Sequence, residues 1–211
     1  MNKQGIEAGD SVFFRKGDVF RGQINLIRGG DNTGEIFISS YGTGPSPVIS
    51  GAQILTDWEK FKNNIYVTSF GKYIRDVYQN NDLKTIARYP NQGFLTIDYN
   101  SDYLHFTDNA LIEKNGYWNG ANARIRTKNW VYEIRKIRDF RDKTVYLEKH
   151  PDFPIEKGFE YRHTPDGNST IYKLTRGDGY YLDNKFELLD TLNEWYQNSD
   201  SKKVFYYSDK N

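Results

Sequence analysis

The side chains best suited to chemistry in this sequence are a run of cations, a scatter of carboxylates and one tryptophan set among amides. In "ARIRTKNWVYEIRKIRDFRDK", Arg124, Arg126 and Lys128 alternate with other residues. On an extended strand, residues two apart share a face, so these three cations are expected to line one side. Arranged so, they could hold carboxylate or sulfate groups, bidentately where arginine is used. The competing reading is a solvated outer face whose charges keep a sheet soluble and protect its edges.

Carboxylate pairs about 5–10 Å apart can serve as acid and base across a scissile glycosidic bond. The loop candidates are Asp98 with Asp102, Asp178 with Asp183, and Glu194. Aspartates in such Asn- and Gly-rich settings are also ordinary turn formers. Glu194 reads as structural, paired with a backbone group or an arginine. Trp118, in "NGYWNGAN", is the tryptophan expected to be exposed, because amides and glycines surround it. An exposed indole can pack its face on the C–H side of a pyranose. The alternative is a loop anchor tucked into the protein. Trp130 is expected in the core, and Trp58 and Trp195 at the junction of the two parts of the chain.

The three histidines, His105, His150 and His163, share no metal-ligand spacing, and the chain has no cysteine. No metal, cofactor or phosphate-loop pattern is found. A net charge of +1 provides no global field toward nucleic acid or an acidic membrane surface. No apolar run approaches the roughly 20 residues of a membrane-spanning helix.

Strands must position these groups. Aromatic residues make up 16% of the chain, a composition that suits pleated, half-buried surfaces. Period-2 alternation dominates: in "WVYEI", Trp130, Tyr132 and Ile134 share one side, and in "TVYLE", Val145 and Leu147 oppose Tyr146 and Glu148. Asp183 to Gln197 is read either as a short helix with Phe186, Leu189 and Leu192 on one face or as strand–turn–strand. The chain divides near Ala52–Trp58, giving expected domains 1–56 and 57–211. In the first, short strands punctuated by glycine recur about every dozen residues, which fits either turns of a solenoid or tight antiparallel hairpins.

Three blocks carry a family resemblance: "AGDSVFFRKGDVFRGQI" with "ISSYGTGPSPVISG", then "ARYPNQGFLTID", then "GDGYYLDNKFELLDTLNEWYQNSDSKKVFYY". Together they resemble bacterial right-handed parallel β-helix proteins of the pectate-lyase-like superfamily, specifically secreted polysaccharide-degrading members. The resemblance implies an all-β fold: the first turns of a right-handed parallel β-helix, followed by an inserted antiparallel β-sandwich or barrel-like subdomain. It also implies a polysaccharide partner, neutral or acidic, and a secreted, periplasmic or cell-surface location. The family's catalytic groups usually lie in later coils. The chain is therefore expected to be the front piece of a lyase or glycoside hydrolase, contributing scaffold and glycan contacts. A non-catalytic carbohydrate-binding or adhesion module is the alternative. Trp118, Arg124, Arg126 and Lys128 are the expected glycan contacts, and an open solenoid end would favour self-association.

Overall fold

The fold was analysed in a computed structural model that describes residues 5–26, 29–100, 104–149, 160–163, 169–172 and 174–209. The chain divides into two compact units, Met1–Thr56 and Asp57–Asn211. Both are built from strands, and the one helical element among the described residues of the second unit is a single 3-10 turn at Phe186–Leu188.

The first unit holds β1 (Ser11–Arg15), β2 (Val19–Arg21), β3 (Phe37–Tyr41) and β4 (Val48–Ser50). Strand β1 pairs in parallel with β3, Ser11 against Phe37, and β2 pairs in parallel with β4, Val19 against Val48. The corner between strands is laddered as well: the Lys16 and Gly17 amides donate to the Tyr41 and Pro45 carbonyls at 2.9 and 2.8 Å. Position 11 thus meets position 37, and position 19 meets position 48, so each strand–corner–strand unit lies on the next one. Close stacking explains a glycine. A Cβ on Gly34 would sit 2.8 Å from the Gly9 Cα, too near for any side chain. Phe14 is buried and meets Phe20 edge-on at 4.9 Å. The parallel pairing of β1 with β3 and of β2 with β4 differs from the tight antiparallel hairpins that were one of the two sequence alternatives, and two short strand pairs do not by themselves make a parallel β-helix. The described residues form two separate two-stranded parallel sheets.

The second unit begins with β5 (Glu59–Lys62), β6 (Ile65–Ser69), β7 (Val77–Gln79), β8 (Asp82–Ile86), β9 (Arg88–Tyr89), β10 (Leu95–Thr96), β11 (Tyr99–Asn100) and β12 (His105–Thr107). It continues with β13 (Asn122–Lys128), β14 (Val131–Arg141), β15 (Thr144–Leu147), β16 (Glu160–His163), β17 (Ser169–Tyr172), β18 (Gly179–Asp183), β19 (Glu194–Gln197) and β20 (Lys203–Tyr207). One sheet runs β5-β6-β20-β19-β8-β7, and a larger one runs β10-β18-β13-β14-β15-β12-β11 with β9 also on β18. Strands β16 and β17 pair with each other. Pairing is antiparallel except for β19 with β8, so this unit is mixed rather than purely antiparallel.

Turn chemistry sets the hairpins. Asn80 and Asn81 both adopt positive φ, as do Asp142 and Lys143, the backbone that a two-residue hairpin needs to match strand twist. The segment 183–197 is strand–turn–strand with the 3-10 turn between β18 and β19, which settles the helix alternative. A single apolar core gathers Ile97, Phe106, Ile125, Phe140, Val145 and Leu182 with Ile65, Tyr196 and Phe205. As expected from alternation, Val145 and Leu147 point into this core.

Candidate functional site

Strand β13 is amphipathic, and its two faces separate core from site. Ala123, Ile125 and Thr127 are buried, whereas Asn122, Arg124 and Arg126 emerge on the opposite face. Antiparallel register then fixes their neighbours. Strand β14 places Tyr132 beside Arg126, Ile134 beside Arg124 and Lys136 beside Asn122. On the other flank, β18 places Gly179 beside Arg126, Tyr181 beside Arg124 and Asp183 beside Asn122, and β9 adds Arg88 next to Asp183. The outer face therefore carries three rows: Tyr132, Arg126 and Gly179; Ile134, Arg124 and Tyr181; and Lys136, Asn122 and Asp183 with Arg88 beyond.

At one end lies an ion pair with almost no water around its anion. Asp183 is 0% exposed; Arg124 Nε donates to its Oδ2, and Asn122 Nδ2 donates to its Oδ1 at 2.9 Å. Burial pushes the Asp183 carboxyl above the usual range, and the Arg124 guanidinium pulls it part of the way back. The Arg88 guanidinium carbon lies over the Tyr181 ring, 3.9 Å from its centroid, and 5.6 Å from that of Phe94. Its Nε donates to the Pro90 carbonyl at 2.9 Å and its Nη2 to the Gly93 carbonyl, fastening the loop that carries Phe94.

At the other end, where β13 turns into β14, an open cleft of about 490 Å³ is lined by Phe94, Arg126, Thr127, Asn129, Trp130, Gly177, Asp178 and Gly179. That volume falls within the roughly 300–1,000 Å³ of small-ligand sites. Trp130 is 71% exposed at its rim and Phe94 43% exposed. Phe94 sits over Gly179: a Cβ there would meet the Phe94 Cβ at 3.4 Å. Arg126 Nη2 donates to the Asn129 carbonyl at 3.2 Å. The Thr127 hydroxyl is buried and makes no hydrogen bond among the described residues. An indole and a phenyl ring beside a guanidinium offer apolar faces for C–H surfaces and donors for hydroxyl or carboxylate oxygens.

Several expected positions need correction. Trp118 is 1% exposed, packed against Tyr89 and Tyr117, and its Nε1 donates to Glu113 Oε2 at 3.1 Å. It is the loop anchor, not an exposed platform. Gly116 and Gly120, at φ of 80° and 81°, turn the loop on either side of it. Trp130, expected in the core, is the exposed indole. Arg124 and Arg126 share a face as expected, but Arg124 is committed to Asp183. The pairing register shifts between Arg126 and Lys128. The Lys128 side chain lies outside the described residues.

The carboxylate candidates are engaged in structural bonds. Asp98 accepts from the Asn109 backbone amide at 2.8 Å, and Asp178 accepts from the Thr175 amide and hydroxyl at 2.8 and 3.0 Å. Glu194 is buried and Oε2 accepts from the Thr191 amide at 3.2 Å, the backbone partner expected of it. Burial pushes its carboxyl up to about 7. Asp102 and His150 lie outside the described residues. His105 is half-buried, with its ring 5.5 Å from that of Tyr146, and His163 falls on β16. Among the described residues no group of three or more His, Cys, Asp or Glu side chains is placed to hold a metal ion.

No protein-family model and no curated protein matches the sequence. In the described residues no helix is long and apolar enough to cross a membrane. A solved structure described as "Glycoside hydrolase" is similar in fold, with a TM-score of 0.64 over 95% of this chain at 18% identity. The match spans 36% of that longer chain. The chain thus shares its all-β architecture with part of a larger glycoside hydrolase.

Proposed function

We propose that this chain is the N-terminal portion of a secreted β-helical polysaccharide lyase or glycoside hydrolase, and that the second unit contributes a glycan-binding face rather than the reacting groups. The observation that carries the reading is the cleft at the β13–β14 turn, where exposed Trp130 and Phe94 flank Arg126. The stacked parallel pairs of the first unit support the start of a β-helix, whose right-handed course belongs to the proposal. Similarity in fold to part of a glycoside hydrolase supports a carbohydrate-related role.

A second reading, a binding module without catalysis, is favoured by one observation. Asp98, Asp178, Asp183 and Glu194 each hold a backbone or side-chain partner, and none forms an open carboxylate pair across the cleft. In both readings this unit binds sugar. Thermal unfolding with neutral and acidic polysaccharides tests the shared claim. A ligand that binds only the folded state raises the melting temperature by mass action. The rise should be lost in Trp130→Ala and retained in Tyr99→Ala, a change at an exposed tyrosine outside the cleft. No shift with any glycan of the panel would refute it.

A further inference from the structure

We infer that strand β3 is a docking edge for a second copy of this chain, the two β3 strands pairing antiparallel about a two-fold axis at Ser39. The inference concerns the first unit and is independent of the glycan-binding reading, which belongs to the second.

The first unit is short of cover. Its buried apolar side chains among the described residues are Ile6 and Phe14, whereas Phe13, Phe37, Tyr41, Val48, Ile49 and Ile54 are each 45–61% exposed. Two-stranded pairings are marginal in water, and three or more strands with a shared apolar face are generally needed. Exposure also grows from β1 to β3. Phe14 on β1 is 4% exposed, while Ile38, on the same face of β3, is 39% exposed. The opening therefore lies on the β3 side.

The backbone of β3 is half used. Among the described residues this strand is bonded to β1 alone. On that side the Phe37 amide donates to the Asp10 carbonyl at 2.9 Å. Alternation then points the Phe37, Ser39 and Tyr41 N–H groups at β1 and the Ile38 and Ser40 N–H groups at the free edge. A two-fold axis at Ser39 sets Ile38 opposite the second copy's Ser40, and Ser40 opposite its Ile38, so the outward amides and carbonyls complete a ladder. Ser39 meets its own equivalent without crowding. Phe37 faces the second copy's Tyr41 at a position between the ladder bonds, where cross-strand side chains come closest and aromatic pairs stabilise.

Charge selects a copy of the same chain. A two-fold interface brings like residues together, so a charged edge repels itself. No charged side chain occurs from Ile36 to Thr56, in a chain of which 27% is charged. The edge of β1, by contrast, is bounded by Asp10, Arg15 and Lys16, the kind of residues that block edge pairing. Strand β3 lacks that block, and a partner recognised by charge finds nothing on it to read.

The test is sedimentation velocity of the full chain over about a hundredfold range of concentration, across which mass action reveals association. A discrete dimer should form as concentration rises. Ser39→Lys sets two ammonium groups together on the axis and should leave a monomer throughout. Tyr41→Glu should weaken the dimer by about tenfold or more, because the aromatic pair is lost and a carboxylate is desolvated. Adding Phe37→Lys to Tyr41→Glu sets an ammonium opposite that carboxylate in this register alone and should restore most of the affinity. Hydrogen exchange reads the same edge in the unmodified chain: protection of the Ile38 and Ser40 amides should rise with protein concentration. A chain that stays monomeric, an open-ended series of larger species, a dimer indifferent to Ser39→Lys, or one that leaves the Ile38 and Ser40 amides unprotected would overturn the inference. Each of these outcomes leaves the glycan reading of the second unit intact.

Discussion

Arg124→Met should damage the fold more at neutral than at acidic pH, because it strands the Asp183 carboxylate. Asp183 is fully buried and holds two partners, Arg124 on Oδ2 and Asn122 on Oδ1. Removing one member of a buried ion pair generally costs 3–5 kcal/mol, since the other charge remains desolvated. The Arg124 side chain is 21% exposed, so some water reaches the pair. That argues for the lower end, about 3 kcal/mol. For a chain of this size the loss corresponds to roughly 6–12 °C in melting temperature. Burial already raises the Asp183 carboxyl, and loss of the cation raises it further. Below that higher pKa the stranded group takes up a proton and the penalty shrinks; as pH rises through it, the penalty returns. The double variant Arg124→Met/Asp183→Asn removes the charge altogether and should recover most of the loss at pH 7. Denaturant unfolding of the wild type and the two variants at pH 4.5 and 7 measures all of this. A loss under 1 kcal/mol at pH 7, or an equal loss at both pH values, would refute the reasoning.

Other expectations follow from the same geometry. Glu194, raised from 4.5 to about 7, holds a proton in the folded state over a range where the unfolded chain has released it. Stability should therefore fall as pH rises from about 4.5 to about 7, by on the order of 2–3 kcal/mol, and Glu194→Gln should flatten that slope in urea titrations across the range. Trp118→Ala removes a fully buried indole and should cost about 3–5 kcal/mol in the same measurement; a loss below 1 kcal/mol would contradict its place in the core. Gly34→Ala would drive a methyl group into Gly9 and should destabilise the stacked strands of the first unit by about 1–3 kcal/mol, read as faster limited proteolysis within residues 1–56 than within 57–149.

Alternation in the sequence identified the strands and which residues share a side, but not which side faces the core. Tyr132 and Ile134 share the outer face of β14, and Trp130 is exposed in the turn before them. Their outward direction follows from pairing: a tight turn at Asn129–Trp130 sets Tyr132 against Arg126 and Ile134 against Arg124, on the face opposite Ala123 and Ile125. That signal was present in "ARIRTKNWVYEI" once the run is treated as a hairpin instead of two independent strands. Trp118 misleads for a local reason. Asn and Gly around an aromatic residue suggest a wet loop, yet the same glycines allow the sharp turns that fold an indole inward, where Glu113 satisfies its N–H. The role of Arg88 has no short-range signature. Arg88 works through carbonyls two and five residues away and through the Tyr181 ring. The parallel pairing of β1 with β3 depends on contacts across 26 positions, from 11 to 37, which periodicity alone cannot distinguish from hairpins.

The central claim is that sugar binds the outer face of β13 and β14 beside Trp130. The four indole N–H resonances in a ¹H–¹⁵N spectrum, recorded while an oligosaccharide is added, test it most directly. The Trp130 signal should move in step with saturation, while that of Trp118, sealed in the core and bonded to Glu113, should stay in place. A Trp130 resonance that remains still while ligand binds, or a shift confined to Trp58, Trp118 or Trp195, would put the sugar elsewhere and contradict the account.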